Sequence, residues 1–269
     1  MTNKKGQSSL KDKILSGELI IGMSDHTGSE VVVEIMGMVG FDFVWIDTEH
    51  TSLSMETVEK MIRAADSAGV PSIVRVGKND PHIIMQALDS GAKGIVIPQI
   101  RTAKDALQAI EATRYPPEGK KGMCPGVRGA GYLLENWDSY WPKSNREVVV
   151  AVIIENEDAV ANLPDILSVP GIDLIIPGPG DYSQELGLPI NHPKVEKVMK
   201  SVIDQSLSAG KQVMCILLGD LESITKYLTF NQLKRYYNLG ARGFLFCNDV
   251  LLWAQLCKDL TKSRSKVFE

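Results

Sequence analysis

The chain lacks any apolar run approaching the ~20 residues that a bilayer-crossing helix requires, and its first residues, MTNKKGQSSLKDK, carry no apolar signal-like stretch. A membrane partner and export are therefore not expected, and the expected compartment is the cytoplasm. Cysteine is scarce as well: Cys124, Cys215, Cys247 and Cys257 show no CxxC spacing, and two of them sit in apolar strand-like runs, as buried thiols do in a reducing compartment. Positive charge is not in excess, since 29 Lys and Arg stand against 33 Asp and Glu for a net charge of -4, and no dense basic stripe occurs. That leaves no cationic field for a polyanion and excludes nucleic acid as an expected partner. Absent too is a strand–GxGxxG–helix unit, which argues against a dinucleotide crevice. Ser24 and Ser183 have neither a local His nor a nucleophile-elbow setting, which argues against serine hydrolysis.

Present instead is a recurring phrase in which an amphipathic stretch ends at Gly and a short β-branched run follows. Gly40 precedes FDFVWID, Gly69 precedes VPSIVRV, Gly91 precedes AKGIVIP, Gly171 precedes IDLIIPG, Gly210 precedes KQVMCIL and Gly240 precedes ARGFLF. Glycine accepts the left-handed conformation that closes a helix, and an uninterrupted apolar run suits a parallel strand buried on both faces. The pattern predicts strands near 19–24, 42–47, 72–76, 94–98, 149–154, 173–177, 212–217 and 243–247. Helices are predicted near 29–39, 54–68, 81–90, 103–113, 158–167, 194–209, 221–237 and 249–261. Eight alternations in 269 residues specify an α/β fold, a single-domain (β/α)8 TIM barrel over 1–269. A short helix near 9–16 is expected to cover its bottom. One insertion, near 115–147, falls between helix four and strand five. It begins on the stability face, and its glycines and aromatics favour ordered packing, with oligomer contacts as a further expectation.

A barrel gathers its strand exits around one mouth, so polar residues there are the candidates for chemistry. Strand two ends in WIDTEH, giving Asp47, Glu49 and His50. A carboxylate there can hold an imidazole in one tautomer and make His50 a general base; the alternative is a turn or cap cluster ahead of the helix near Ser54. Strand three ends at Arg75, whose guanidinium can bind a carboxylate or oxyanion through paired donors or form a structural ion pair. Glu155 follows strand five, and Asp181 follows the Pro-Gly-Pro-Gly turn after strand six. Two carboxylates from neighbouring exits make a hard oxygen site suited to Mg2+ or Mn2+. Gly178 and Gly180 allow close backbone approach to a ligand, with the amides of Gly180 and Asp181 as carboxylate donors; a phosphate grip is the rival use of the same turn. His26, in MSDHTGS, faces the mouth and can position substrate or simply lie in a helix-entry loop with Thr27 or Ser29 as cap. His82 and His192 read as structural. No lysine closes a strand in the manner of a Schiff-base amine, which favours a metal-dependent route.

These residues resemble the HpcH/HpaI aldolases, metal-dependent pyruvate aldolases. The phrases that carry the resemblance are GFDFVWIDTEH, IVRV followed by NDP, IRTAKDALQAIEATRYPPEG, VIIENEDAVANL, GIDLIIPGPGDYSQELG and LGARGFLF, spread from about 18 to 258. The resemblance implies a divalent metal (Mg2+, Mn2+ or Co2+) held by Glu155 and Asp181, and pyruvate or another 2-oxo acid bound through its keto and carboxylate oxygens. It further implies Arg75 at the keto oxygen, the amides near Gly180 and Asp181 at the carboxylate, and His50 with Asp47 as the acid/base pair. The partner is then an aldehyde, and the assembly a homo-oligomer, a hexamer with exchanged C-terminal helices. Three departures bear on the acceptor. Ile153 stands where Gln is common, the first strand ends in SDH without Gly-x-Trp, and an unusual CPGVRGAGY follows Lys121-Gly122. Two other outcomes share the site: an oxaloacetate-type decarboxylase or acyl-CoA lyase, and a non-catalytic keto-acid-binding barrel.

Overall fold

The computed structural model describes residues 8–134, 136–217 and 230–262. Eight parallel strands close into a barrel in the order β1 to β8: β1 (Ile20–Asp25), β2 (Phe43–Asp47), β3 (Ser72–Arg75), β4 (Gly94–Ile97), β5 (Val149–Ile154), β6 (Leu174–Pro177), β7 (Gln212–Leu217) and β8 (Gly243–Asn248). The glycine phrases work as read. At Gly69 the backbone is left-handed, φ 73°, and its N–H closes the last turn of α3 (Met55–Ala68) onto Ala65. Helix starts are fixed by side-chain caps, among them Ser29 for α2 (Glu30–Met38), Asp80 for α4 (Pro81–Asp89) and Thr102 for α5 (Ala103–Thr113), each accepting a first-turn amide that would otherwise be unpaired.

Side chains of alternate strand residues fill the barrel. Phe43, Trp45, Ile73, Val96, Ile153 and Ile176 belong to this interior cluster, and a second cluster lies between the barrel and its helices. Gly22 is required where it stands: a Cβ there would fall 2.3 Å from the Phe43 ring. The N-terminal helix α1 (Leu10–Leu15) plugs the bottom, with Leu10 and Ile14 joining the interior cluster and Lys11 paired to Asp173 at 2.9 Å.

The structure adds detail to the expected helices. The segment expected as one helix near 158–167 is two, α7 (Glu157–Ala161) and α8 (Leu163–Ser168), because Pro164 supplies no N–H to continue the first and suits the opening turn of the second. The insertion is ordered, with a 3-10 turn at Arg128–Leu133 and α6 (Trp137–Glu147). It is tied to the stability face, where Lys121 reaches Asp89 at 2.5 Å and the Tyr115 hydroxyl at 2.6 Å, and Arg128 reaches Asp66 at 2.6 Å. A further short helix, α9 (Pro179–Glu185), follows β6, and α10 (Pro193–Ser208) precedes β7. Of the helix expected near 221–237, the part from 230 is seen as α11 (Phe230–Asn238); the remainder lies outside the described residues. The last helix is α12 (Asp249–Lys262). Among the described residues no helix is long and apolar enough to cross a membrane.

Candidate active site

Register places the site. Asp47 and Arg75 are direct neighbours across β2 and β3. Both continue the inward-facing rows of their strands, above Trp45 and Ile73. Asp47 is fully buried and forms the hub of the mouth. Its Oδ2 accepts from Arg75 Nε at 2.8 Å and from Arg75 Nη2, while Oδ1 accepts the backbone amides of Glu49 at 2.9 Å and His50 at 3.0 Å. Burial alone would raise the Asp47 carboxyl. The hydrogen bond from His26, the charge and hydrogen bonds of Arg75 and the His50 amide outweigh it and hold the group well below the ordinary carboxylate range. Arg75 also pairs with Glu49, Nη1 to Oε2 at 3.0 Å, and lies over the Trp45 ring at 5.6 Å.

The imidazole expected on Asp47 was that of His50. In the structure Asp47 grips His50 by its backbone, and the His50 ring, 58% exposed, lies 3.6 Å from the Glu49 carboxylate. The ring facing Asp47 belongs to His26, with Nε2 3.3 Å from Oδ2. The cause is the β1–β2 register: Asp25 pairs with Ile46, which sets the next residues, His26 and Asp47, side by side.

Across the mouth, Glu155 emerges from β5 buried, and its Oε1 accepts the Gln99 amide at 2.7 Å. Gln99 takes an unusual left-handed backbone, φ 55°, to present that amide. Burial pushes the Glu155 carboxyl up to about 7; the Gln99 amide pulls against that, and the charges of Asp181 and Glu49 add to the rise. Burial also raises Glu49, with Arg75 and His50 opposing and Asp47 and Asp181 reinforcing. Glu155, Asp181 and Glu49 are thus close enough to repel one another. Asp181 lies in the first turn of α9 and is exposed. Gly178 has a structural reason of its own. A Cβ there would sit 2.5 Å from the Glu155 Cβ, so the missing side chain makes room for Glu155; Gly180 faces open space.

The donor chemistry fits a hard divalent cation. Glu155 and Asp181 offer anionic oxygens whose mutual repulsion a cation would relieve, and their small number leaves coordination positions for water and substrate. Among the described residues no group of three or more His, Cys, Asp or Glu side chains surrounds a common metal position. Ile153, fully apolar and buried, forms the floor beside Glu155.

Some contributors carried little sequence signal. The Gln99 amide has none, since it depends on a loop conformation. Asp249, just after β8, accepts the His26 amide at 2.8 Å and the Thr27 hydroxyl at 2.6 Å; its place at a strand exit was the available clue. Ser24 Oγ and Trp45 Nε1 are buried with no hydrogen-bond partner among the described residues.

Known proteins share this fold and much of the sequence. The family described as HpcH/HpaI aldolase/citrate lyase matches residues 26–248. A 4-hydroxy-2-oxo-heptane-1,7-dioate aldolase of Shigella sonnei is 32% identical, covering 94% of each chain. Among solved structures, an HpcH/HpaI aldolase/citrate lyase family protein from Burkholderia cenocepacia superposes with a TM-score of 0.85 at 30% identity, covering 97% of this chain and 99% of that one. The citrate synthase SbnG superposes with a TM-score of 0.84 at 26% identity, covering 98% and 100%.

Proposed function

The chain belongs to the HpcH/HpaI aldolase/citrate lyase family and is an enzyme, a lyase of the aldolase type, and we propose that it makes and breaks 4-hydroxy-2-oxo acids through the enolate of pyruvate at the mouth formed by Asp47, Arg75, Glu155 and Asp181. The observation that carries this proposal is the approach of the Glu155 and Asp181 carboxylates to each other and to Glu49, the partner of Arg75, with Glu155 pushed up to about 7. Glu155 and Asp181 would hold a divalent ion, Mg2+, Mn2+ or Co2+, which when bound supplies Lewis-acid polarisation of the 2-oxo group.

The chain's own residues do the rest. Arg75 is fixed by Asp47 and Glu49, so its guanidinium needs little reorganisation to meet negative charge growing on the enolate oxygen. The amides of Gly180 and Asp181, at the start of α9, are assigned to the substrate carboxylate. Ile153 and Trp45 give the site an apolar floor that strengthens these polar contacts. Proton transfer at the hydroxyl belongs to an imidazole at the mouth, a role the resemblance gives to His50 with Asp47. The acceptor aldehyde meets the β1 and β2 exits, where His26 and His50 lie.

A homo-oligomer with exchanged C-terminal helices is supported by apolar surface on two helices. Val250, Leu251, Trp253, Leu256 and Leu260 of α12 are exposed, as are Val31, Ile35 and Met38 of α2 and Val39 just after it. Covering such patches in a second copy, ultimately a hexamer, would remove surface that a monomer rarely shows. The cytoplasm suits the unpaired thiols of Cys124, Cys215 and Cys257.

The test is exchange of the pyruvate methyl protons in D2O, followed by NMR on protein loaded with Mg2+, Mn2+ or Co2+ in turn, with chelator, Glu155→Gln and His50→Ala controls. Metal-dependent exchange without any aldehyde is the expected result. No exchange with any of the metals would leave a keto-acid-binding barrel, and exchange followed by loss of CO2 from oxaloacetate but no aldol cleavage would favour a decarboxylase.

A further inference from the structure

Resting on the metal-dependent reading above, we propose that Gln99 is a positioning residue that works through its backbone alone: its left-handed turn aims an N–H at Glu155 Oε1 and so presents this carboxylate to the divalent ion through Oε2.

Among the described residues, two that are not glycine hold a left-handed backbone, Gln99 at φ 55° and Tyr132 at φ 55°. Tyr132 belongs to the insertion on the stability face, whereas Gln99 stands at the mouth, just beyond the end of β4. A residue with a Cβ is disfavoured in that region, and the conformation persists only where the surroundings over-determine it. Here they do. Pro98 before it and Ile100 after it are buried, Ile100 in the packing between the barrel and its helices. Asn156, buried at the exit of β5, donates Nδ2 to the Ile100 carbonyl at 3.4 Å, while its Oδ1 caps α7 by accepting the Ala159 amide at 2.8 Å. One residue further, the Arg101 carbonyl accepts from Asn162 Nδ2 at 3.0 Å, and the Arg101 guanidinium pairs with Asp158 at 2.8 Å. The β4 exit is thus fastened to the β5 exit and α7 around Gln99. What the strained residue delivers to the site is one N–H, donated to Glu155 Oε1 at 2.7 Å; its own side chain is exposed.

The stem of Glu155 is fixed from the other side. Gly178 donates its N–H to the Ile154 carbonyl at 2.9 Å and lies so close that a Cβ on it would stand 2.5 Å from the Glu155 Cβ and 3.0 Å from Ile153 Cγ2. The β6 exit therefore sets where the side chain starts, and the β4 exit sets how its head is turned. Hard divalent ions accept a carboxylate through one oxygen or through both. With Oε1 engaged by an amide, Oε2 is the oxygen left to the ion, so ligation through one oxygen is selected and coordination positions are kept for water and substrate. Orientation by such an outer partner, in place before the ion arrives, is what tunes a metal ligand. Because the N–H comes from the main chain, tolerance at position 99 should follow backbone preference and ignore side-chain chemistry.

The test is the affinity of the full chain for Mn2+ alone, read from the free-ion signal in electron paramagnetic resonance, across substitutions ranked by their acceptance of the left-handed region. Gln99→Gly and Gln99→Asn, which accept it, should bind Mn2+ within about threefold of the wild type. Gln99→Val, whose branched side chain rejects it, should weaken Mn2+ by ~10–100-fold, the usual cost of losing an outer partner of a metal ligand, with circular dichroism unchanged. A turn that merely supports the fold would lower the urea midpoint of Gln99→Val and leave its Mn2+ affinity alone, which overturns the proposal. It is overturned equally if Gln99→Gly weakens Mn2+ as much as Gln99→Val does, since the side chain would then be the active part. Gln99→Thr, smaller but also branched, replaces Gln99→Val if the latter does not fold; if neither folds, a loss of Mn2+ affinity in Gln99→Gly or Gln99→Asn overturns the proposal and its retention in both supports it. A wild-type chain that binds no Mn2+ would instead overturn the metal reading of Glu155 and Asp181 first, and the role of Gln99 with it.

Discussion

Replacing Arg75 with Met tests whether the mouth is an electrostatic unit. Arg75 donates to the fully buried Asp47 through its guanidinium, and it also neutralises Glu49. Met keeps much of the packing over Trp45 but leaves two carboxylates without that cation. Removing one partner of a buried pair typically costs about 3–5 kcal/mol. The pH dependence has a defined sign. In the wild type the Asp47 carboxyl is depressed, so its contribution is present above the unfolded value of about 3.9 and is lost as pH falls toward the folded value. Without Arg75, burial is opposed at Asp47 by the His26 hydrogen bond and the His50 amide, so that carboxyl moves up from its wild-type position, and Glu49, already raised by burial, loses its chief opposing cation. The variant then takes up protons as pH falls from neutral, which relieves part of the cost. Urea unfolding followed by circular dichroism should therefore show a larger stability loss at pH 8 than at pH 5.5. A loss under about 1 kcal/mol, or one equal at both pH values, would refute the reasoning.

Other perturbations have equally definite outcomes. Burial and the nearby Asp249 push Asp25 up to about 6, which destabilises the fold above that pH by roughly 3 kcal/mol and is relieved as pH falls toward about 4. Asp25→Asn should accordingly raise stability at pH 8 more than at pH 5, measured by the same unfolding assay. Gly178→Ala forces a Cβ to 2.5 Å from that of Glu155, so it should weaken Mn2+ binding in calorimetry while leaving circular dichroism unchanged. Trp253→Glu and Leu256→Glu on α12 should shift light-scattering mass toward the monomer; an unchanged mass would remove this helix from the interface.

All eight strands were legible to within a residue or two, because helix-closing glycines and β-branched runs act locally. The break at Asn162 was less visible, since Pro164 reads equally as a helix opener or a helix breaker. The strand-exit rule placed Asp47, Arg75, Glu155 and Asp181 at the mouth of the barrel, where the structure has them. It could not say which imidazole meets Asp47, because that depends on a pairing between strands more than twenty residues apart in sequence. Nor could it foresee that Gly178 yields space to Glu155 or that Gln99 turns its amide inward, both of which are properties of the assembled mouth.

The most direct test of the central claim is the anomalous signal from a crystal grown with MnCl2 and pyruvate. The account predicts one Mn2+ per chain within coordination distance of both Glu155 and Asp181, with the pyruvate 2-oxo oxygen turned toward Arg75. Mn2+ found away from that pair, or pyruvate bound with its 2-oxo oxygen directed away from Arg75, would contradict it.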